Sequence, residues 1–343
     1  MLVTDLVNVR YLSGFTGSNA ALLVLADSEV PVLATDGRYV TQAAQQAPDA
    51  EVVIERACGP SLVARAAAAG VRRLGFESHV VTFDGYALLL RSAPDLQFVR
   101  AAGTVEALRE VKDAGELALL RLACEAADAA LRDLVDAGGL RPGRTEREVG
   151  RELEARMLDH GADGVSFETI VAAGANSAIP HHRPTVAVLA AGDFVKIDFG
   201  ALVAGYHSDT TRTFVLAPLA QWQSDVYDLV ATSQRAGREA LVAGACLKDV
   251  DAASRQVIAD AGYGENFGHG LGHGVGLQIH EAPGISASSA GTLLAGSAVT
   301  VEPGVYLPGR GGVRIEDTLV VGTEEAPTPE LLTRFPKELL VIG

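Results

Sequence analysis

Asp198 and Asp209 stand eleven positions apart, and His273, Glu302 and Glu316 follow them in that order. Four carboxylates and one imidazole form a donor set for hard divalent cations, which take oxygen ligands with an occasional nitrogen. Two such ions roughly 3.5–4 Å apart can share a hydroxide as a nucleophile. Each of the five lies in an apolar, β-branched or Gly-rich stretch: Phe194-Val195-Lys196-Ile197-Asp198-Phe199 reads as a strand with Asp198 near its end. Glu302 closes Ala298-Val299-Thr300-Val301 before Pro303-Gly304, and Glu316 follows Val313-Arg314-Ile315, so both read as strand-borne carboxylates. Charge in such surroundings needs a partner. Two dications balance four ionised carboxylates; without them, each pair about 5 Å apart repels by roughly 3 kcal/mol at an effective dielectric of 20. A single strand-end acid is ordinarily a solvated group, and a single histidine in a Gly-rich loop, as His273 reads, an ordinary hydrogen bonder. The five together point to a metal site.

The elements that must position them fall into two domains, since 343 residues exceed one ordinary core. With 48% hydrophobic and 21% charged residues and no apolar run of membrane-spanning length, the composition is that of a globular, soluble chain. A net charge of −15 without any Lys/Arg run argues against nucleic acid and anionic membrane as partners. Cys58, Cys124 and Cys246 are odd in number and far apart, which fits buried thiols in a reducing compartment. Met1-Leu2-Val3-Thr4-Asp5 has no basic n-region or signal-length apolar segment, and these readings place the protein in the cytoplasm.

Residues 1–106 read as a small α/β N-terminal domain and 107–343 as the catalytic domain, with a soft boundary. In the first, Ala20–Leu25 and Val30–Thr35 read as buried strands, Val40–Ala47 and Ser61–Ala69 as helices, and Arg73–Phe76 as a further strand. In the second, Leu117, Leu120, Cys124, Ala127, Leu131 and Leu134 recur at spacings of three and four, predicting one long helix over Ala114–Ala137. Thr145 followed by Glu148 has the form of a capping box, opening a helix that ends at His160-Gly161. Beyond Gly161 come strands and glycines, interrupted by helices near Ser224–Val242 and Leu247–Ala261.

Six ordered blocks resemble the successive signatures of the pita-bread metallopeptidases: Ile197-Asp198-Phe199-Gly200, Gly205 to Thr213, His269 to Gly276, His280-Glu281-Ala282-Pro283, Val301 to Tyr306, and Gly312 to Asp317. Within that family the chain is most similar to the Xaa-Pro peptidases, that is, prolidases and aminopeptidase P. Val9 to Ser18 and Thr35 to Tyr39 are similar to the small creatinase-type N-terminal domain of these enzymes, which gates substrate and dimerises. One departure is visible: the strand-like Leu2-Val3-Thr4 begins where relatives have a preceding helix, so the expected start lies upstream or the domain is trimmed.

The resemblance implies a pita-bread α/β fold with pseudo-twofold halves around a curved antiparallel sheet. It implies that Asp198 chelates one ion, that Asp209 and Glu316 bridge two, and that His273 and Glu302 complete the other. It places His181 and His280 at the substrate, with His269 nearby; His182 is the alternative to His181. Imidazoles there can donate to an oxyanion and move protons at neutral pH. In the expected cycle a bridging hydroxide attacks the carbonyl of an Xaa-Pro bond, His280 and one metal polarise its oxygen, and Glu302 carries the proton to the prolyl nitrogen. By the two-residue period, Arg314 shares a strand face with Glu316 and either orients it, holds an anionic substrate end, or neutralises the acidic site. Arg183 and Arg310 are weaker candidates for a carboxylate anchor, and Asp36, Arg38 and Tyr39 for reaching a partner's cleft or forming an ordinary turn.

The expected cofactor is two divalent ions, Mn²⁺ first, with Co²⁺, Zn²⁺ or Mg²⁺ as substitutes. The expected substrates are proline-containing dipeptides or short peptides, and the expected assembly, by analogy, a homodimer. An Xaa-Pro dipeptidase is preferred because the chain is short and lacks an inserted domain; aminopeptidase P acting on longer peptides is the alternative. A methionine-type aminopeptidase, a creatinase-like hydrolase and a non-enzymatic binding module rank below.

Overall fold

Short runs of β-branched residues and leucine build a six-stranded sheet in the computed structural model, which describes residues 1–343. The chain separates into two compact units, Met1–Arg109 and Glu110–Gly343. In the first, the strands lie in the order Glu51–Ile54, Val32–Thr35, Ala20–Leu23, Leu2–Val3, Arg73–Phe76, Gln97–Arg100. Apolar clusters cover the sheet on two sides, one around Leu62 and Leu74, the other around Val9 and Phe15. Leu6–Ser13 is a helix that sequence periodicity left unassigned. Its start is fixed by Asp5, whose side chain accepts from the Val7 and Asn8 amides, and its end by Gly14 in the left-handed region at φ +76°.

Asp36, Arg38 and Tyr39 serve their own unit. Asp36 caps the turn Gly37–Tyr39 and pairs with Arg38 at 2.8 Å, while Tyr39 hydrogen-bonds Ser18 and packs edge-on against Phe15. These contacts are those of a strand-to-helix turn.

The second unit repeats one plan twice. In its first half, helices Ala114–Asp136 and Glu146–Asp159 pack on a sheet of Ile170–Ala173, Phe194–Phe199 and Thr210–Leu216, edged by Val341–Ile342. In its second half, Gln221–Glu239 and Leu247–Asp260 pack on Glu281–Ile285, Gly272–Gly274, Ala298–Val301, Asp317–Val320 and Glu330–Leu331. Antiparallel pairing dominates both sheets.

The long first helix buries Leu120, Cys124, Ala127, Leu131 and Leu134, five of the six residues its periodicity selects, and Leu117 is half-buried. Each leucine so buried stabilises the unit by about 1.5–3 kcal/mol. Asp113 with Glu116, and Thr145 with Glu148, close reciprocal capping boxes that fix where the two helices begin. No helix is long and apolar enough to cross a membrane.

Candidate metal centre and substrate cleft

Asp198 is the penultimate residue of Phe194–Phe199 and faces Thr211 across the antiparallel ladder; Asp209 immediately precedes Thr210–Leu216. Gly200 lets these two chain segments close. A Cβ on it would meet the Ser208 carbonyl oxygen at 1.9 Å.

His273 sits on the strand Gly272–Gly274, not in the loop its glycines predict, with a register shift at His273/Gly274. Those glycines allow close backbone approach rather than looseness: a Cβ on Gly272 would lie 2.0 Å from the Thr300 carbonyl oxygen. Glu302 and Glu316 also depart from expectation, because neither lies on a strand. Each occupies a two-residue break, Glu302-Pro303 after Ala298–Val301 and Ile315-Glu316 after Gly311–Arg314. At both breaks the chain crosses between the five-stranded sheet and the two-stranded ribbon of Gly304–Leu307 and Gly311–Arg314. Leaving one ladder for another frees each carboxylate from strict up-and-down alternation, so the two-residue period does not run from Arg314 to Glu316.

The five sequence-selected residues line one cleft. His273 Nε2 is 3.5 Å from Asp209 Oδ2 and 3.5 Å from Glu302 Oε1. Asp209, His273 and Glu316 offer ligand atoms within 4.8 Å of one another. His273 Nδ1 lies 2.9 Å from the Gly274 carbonyl oxygen and donates to it, which leaves the Nε2 lone pair aimed at the acids. Glu316 Oε2 accepts from Thr211 Oγ1 at 2.7 Å.

Burial and then the neighbouring carboxylates push Asp209 and Glu316 well above the ordinary carboxylate range, and burial raises Glu302. Positive charge is therefore in demand at this spot. Asp198 Oδ1 is buried with no hydrogen-bond partner, while its Oδ2 pairs with Arg314. An orphaned carboxylate oxygen, three further acids and an imidazole lone pair fit hard divalent cations.

Arg314 is held by protein groups on the floor of the cleft. Besides Asp198 it donates to Thr211 Oγ1 at 3.0 Å, Tyr306 Oη at 2.9 Å and the Pro180 carbonyl at 3.2 Å. Of the three readings open for Arg314, neutralising and orienting the acids agrees with these contacts. His269 continues the chain: Nδ1 donates to the Gly270 carbonyl at 2.8 Å, so Nε2 accepts the Tyr306 hydroxyl at 2.9 Å. Burial, followed by Arg314, pulls this imidazole down to about 4, and burial pushes Tyr306 up to about 12.

The cleft encloses about 380 Å³. His280 is exposed on its wall and packs edge-on to His273, with ring centroids 4.4 Å apart. His181 is likewise exposed on the wall, whereas His182 is buried and bonds Glu146 at 2.8 Å. Arg183 pairs with Glu168 at the rim at 2.8 Å. Arg310 stacks over Trp222 at 4.1 Å and does not line the cleft.

Sequence reasoning passed over Glu146, Lys196 and Tyr306. Lys196 is fully buried beneath the cleft, donating to the Ile179 carbonyl at 2.7 Å, 5.0 Å from the Tyr306 ring centroid, and burial draws its ammonium down to about 6. The signal available for it was a lysine in the middle of an otherwise apolar strand.

A metal-binding cleft at the junction of two repeated helix-and-sheet halves is the plan of a pita-bread peptidase. The chain belongs to metallopeptidase family M24, whose model matches residues 118–323, and residues 1–111 match the creatinase/prolidase N-terminal domain. It is 39% identical over 346 residues to an uncharacterised peptidase of Bacillus subtilis, covering 100% of this chain and 95% of the relative. An Xaa-Pro dipeptidase structure from Bacillus anthracis superposes with TM-score 0.94 at 39% identity, covering 99% of this chain and 94% of that one. An X-Pro aminopeptidase structure from Thermotoga maritima superposes at 0.90 with 33% identity, covering 99% and 97%.

Proposed function

We propose that the chain is an Xaa-Pro dipeptidase in which Asp198, Asp209, His273, Glu302 and Glu316 would hold two divalent cations. The carrying observation is the convergence of four carboxylates and an imidazole lone pair on one cleft, with one buried carboxylate oxygen left unpaired. When bound, the cations balance the acids, acidify water and polarise a carbonyl; Mn²⁺ suits the oxygen-rich set best, and Co²⁺, Zn²⁺ or Mg²⁺ are substitutes.

The side chains then divide the remaining tasks. Glu302 takes a proton from the attacking water and delivers it to the prolyl nitrogen, a poor leaving group until protonated. His280, on the wall beside His273, donates to the oxygen that gains negative charge as the carbonyl becomes tetrahedral. His181 holds the peptide from its exposed position on the cleft wall. His269 and Arg314 brace the floor through Tyr306 and set the position of Asp198 instead of contacting the substrate charge.

The dipeptide preference is supported by the likeness to the Bacillus anthracis dipeptidase and by a cleft near the small end of ligand pockets. The likeness to the Thermotoga maritima aminopeptidase favours the second reading, an aminopeptidase acting on longer chains. Comparing kcat/KM on Ala-Pro and Ala-Pro-Ala with Mn²⁺ separates them: the dipeptide is expected to be the better substrate, and equal or better turnover of the tripeptide rejects the preference. A fully metallated protein inert toward both rejects the class.

A further inference from the structure

Glu146 opens the helix Glu146–Asp159, one residue after its cap Thr145, and is fully buried. An acid suits a helix N-terminus, but one taken out of water must be fully paired. It is. Oε1 accepts from the Ala173 amide at 2.9 Å and Asn176 Nδ2 at 2.9 Å. Oε2 accepts from His182 Nε2 at 2.8 Å, the Thr185 amide at 2.9 Å and Thr185 Oγ1 at 2.8 Å. Burial works against the ionised form, and the donors outweigh it, leaving this carboxyl below its ordinary range.

All five donors belong to residues 173–185, the segment that carries His181. The middle of that segment is tied to the floor of the cleft. Ser177 Oγ accepts from the Gly312 amide at 2.8 Å, and the Pro180 carbonyl accepts from Arg314 at 3.2 Å and Lys196 at 3.3 Å. His181 stands between the Pro180 tie and the His182 tie to Glu146.

We infer that Glu146 is a positioning residue: from outside the cleft it clamps residues 173–185 and thereby sets where His181 meets the substrate. The role of His181 rests on the peptidase reading above; the clamp itself does not. Oε2 is the sensitive half, because it receives two N–H groups and a hydroxyl. A glutamine amide placed there turns its own hydrogens toward the donors and leaves them unsatisfied.

The test is Glu146→Gln in the full-length, Mn²⁺-loaded protein, alone and combined with His181→Ala. Displacing a substrate group costs up to about 100-fold in rate, so kcat/KM on Ala-Pro is expected to fall between about tenfold and about 100-fold. Bound Mn²⁺ by elemental analysis is expected to equal wild type. Hydrogen exchange is expected to rise in residues 173–185 and to stay unchanged in Ala298–Val301. The double variant is expected to be no slower than His181→Ala alone, since both changes remove one contact. Unchanged exchange in 173–185, losses that multiply in the double variant, or metal loss from Glu146→Gln would each overturn the proposal. Should Glu146→Gln fail to fold, Thr185→Val, which removes one of the five donors, passes through the same measurements with the same criteria and a smaller expected fall. If wild type cleaves no Xaa-Pro peptide, the peptidase reading fails while the exchange experiment still decides the clamp.

Discussion

Arg212 and Asp317 form an ion pair at 2.9 Å with both side chains sealed from solvent. Arg212 comes from the sheet of the first half and Asp317 from that of the second. The same guanidinium donates to the carbonyls of Thr211 and Glu316, so it binds the backbone beside two of the site's elements. Asp317 also receives Gln234 Nε2 at 2.8 Å, Thr333 Oγ1 at 3.0 Å and Lys337 Nζ at 3.0 Å. Removing Arg212 leaves Asp317 to Lys337 and takes a charged donor from the buried Glu316 and Phe335 carbonyls, at a cost of about 1.5–3 kcal/mol. Arg212→Leu is therefore expected to lower the free energy of unfolding by about that amount in denaturant titration and to weaken metal binding. Wild-type stability in that variant would show the pair to be energetically idle.

Asp209 and Glu316, proposed as metal ligands, should behave differently from the wall histidine. Asp209→Asn and Glu316→Gln are expected to abolish Ala-Pro hydrolysis and lower bound metal, since each removes a charged ligand from a set whose acids lie within reach of one another. His181→Ala is expected to slow turnover with metal retained. Elemental analysis beside the rate assay reads both, and loss of metal from the His181 variant would contradict its place on the wall.

Gly200 and Gly272 are where added volume meets backbone. Overpacking ordinarily costs about 1–3 kcal/mol, and a contact against a carbonyl that cannot rotate away belongs at the upper end. Gly200→Ala and Gly272→Ala are expected to lower unfolding free energy by about 2–3 kcal/mol and to displace Asp209 and His273 respectively. A metal titration showing wild-type affinity in both variants would mean the segments yield without moving the donors.

Acid sensitivity has an assignable source in His269. Its folded value is about 4, whereas an unfolded histidine titrates near about 6.5. The folded state therefore keeps the ring neutral while the unfolded chain takes up a proton in between. This contributes stability that is present above about 6.5 and is lost as pH falls toward about 4. His269→Asn is expected to show a smaller decline in unfolding free energy between pH 7 and pH 5 than wild type. Equal declines would remove His269 from the account.

Periodicity and caps made the helices legible: Leu120 through Leu134 marked one face, and Thr145 with Glu148 one start. The identities of the four acids and the imidazole were legible too, because charged residues inside apolar runs stand out. Their settings were less so. Glu302 and Glu316 looked strand-borne since Val301 and Val313-Arg314-Ile315 are β-formers, and only the crossing between sheets, a non-local event, sets them in breaks. His273 looked loop-borne because glycine usually signals turns, whereas here it makes room for the Thr300 carbonyl. Glu146 was hidden by its neighbours: within Thr145-Glu146-Arg147-Glu148 it reads as one more acid in a first turn, and its donors lie 27 to 39 residues away.

The crossings at Glu302 and Glu316 also bear on assembly. Asp198 and Asp209 ride on the first half, while His273, Glu302 and Glu316 ride on the second. Severing the chain near Leu219, between the two sets, would leave each fragment with only part of the proposed ligand set. If the proposed ligand set holds, cation uptake during refolding reads as a clock for the docking of the halves, since that set is complete only when both sheets are in place.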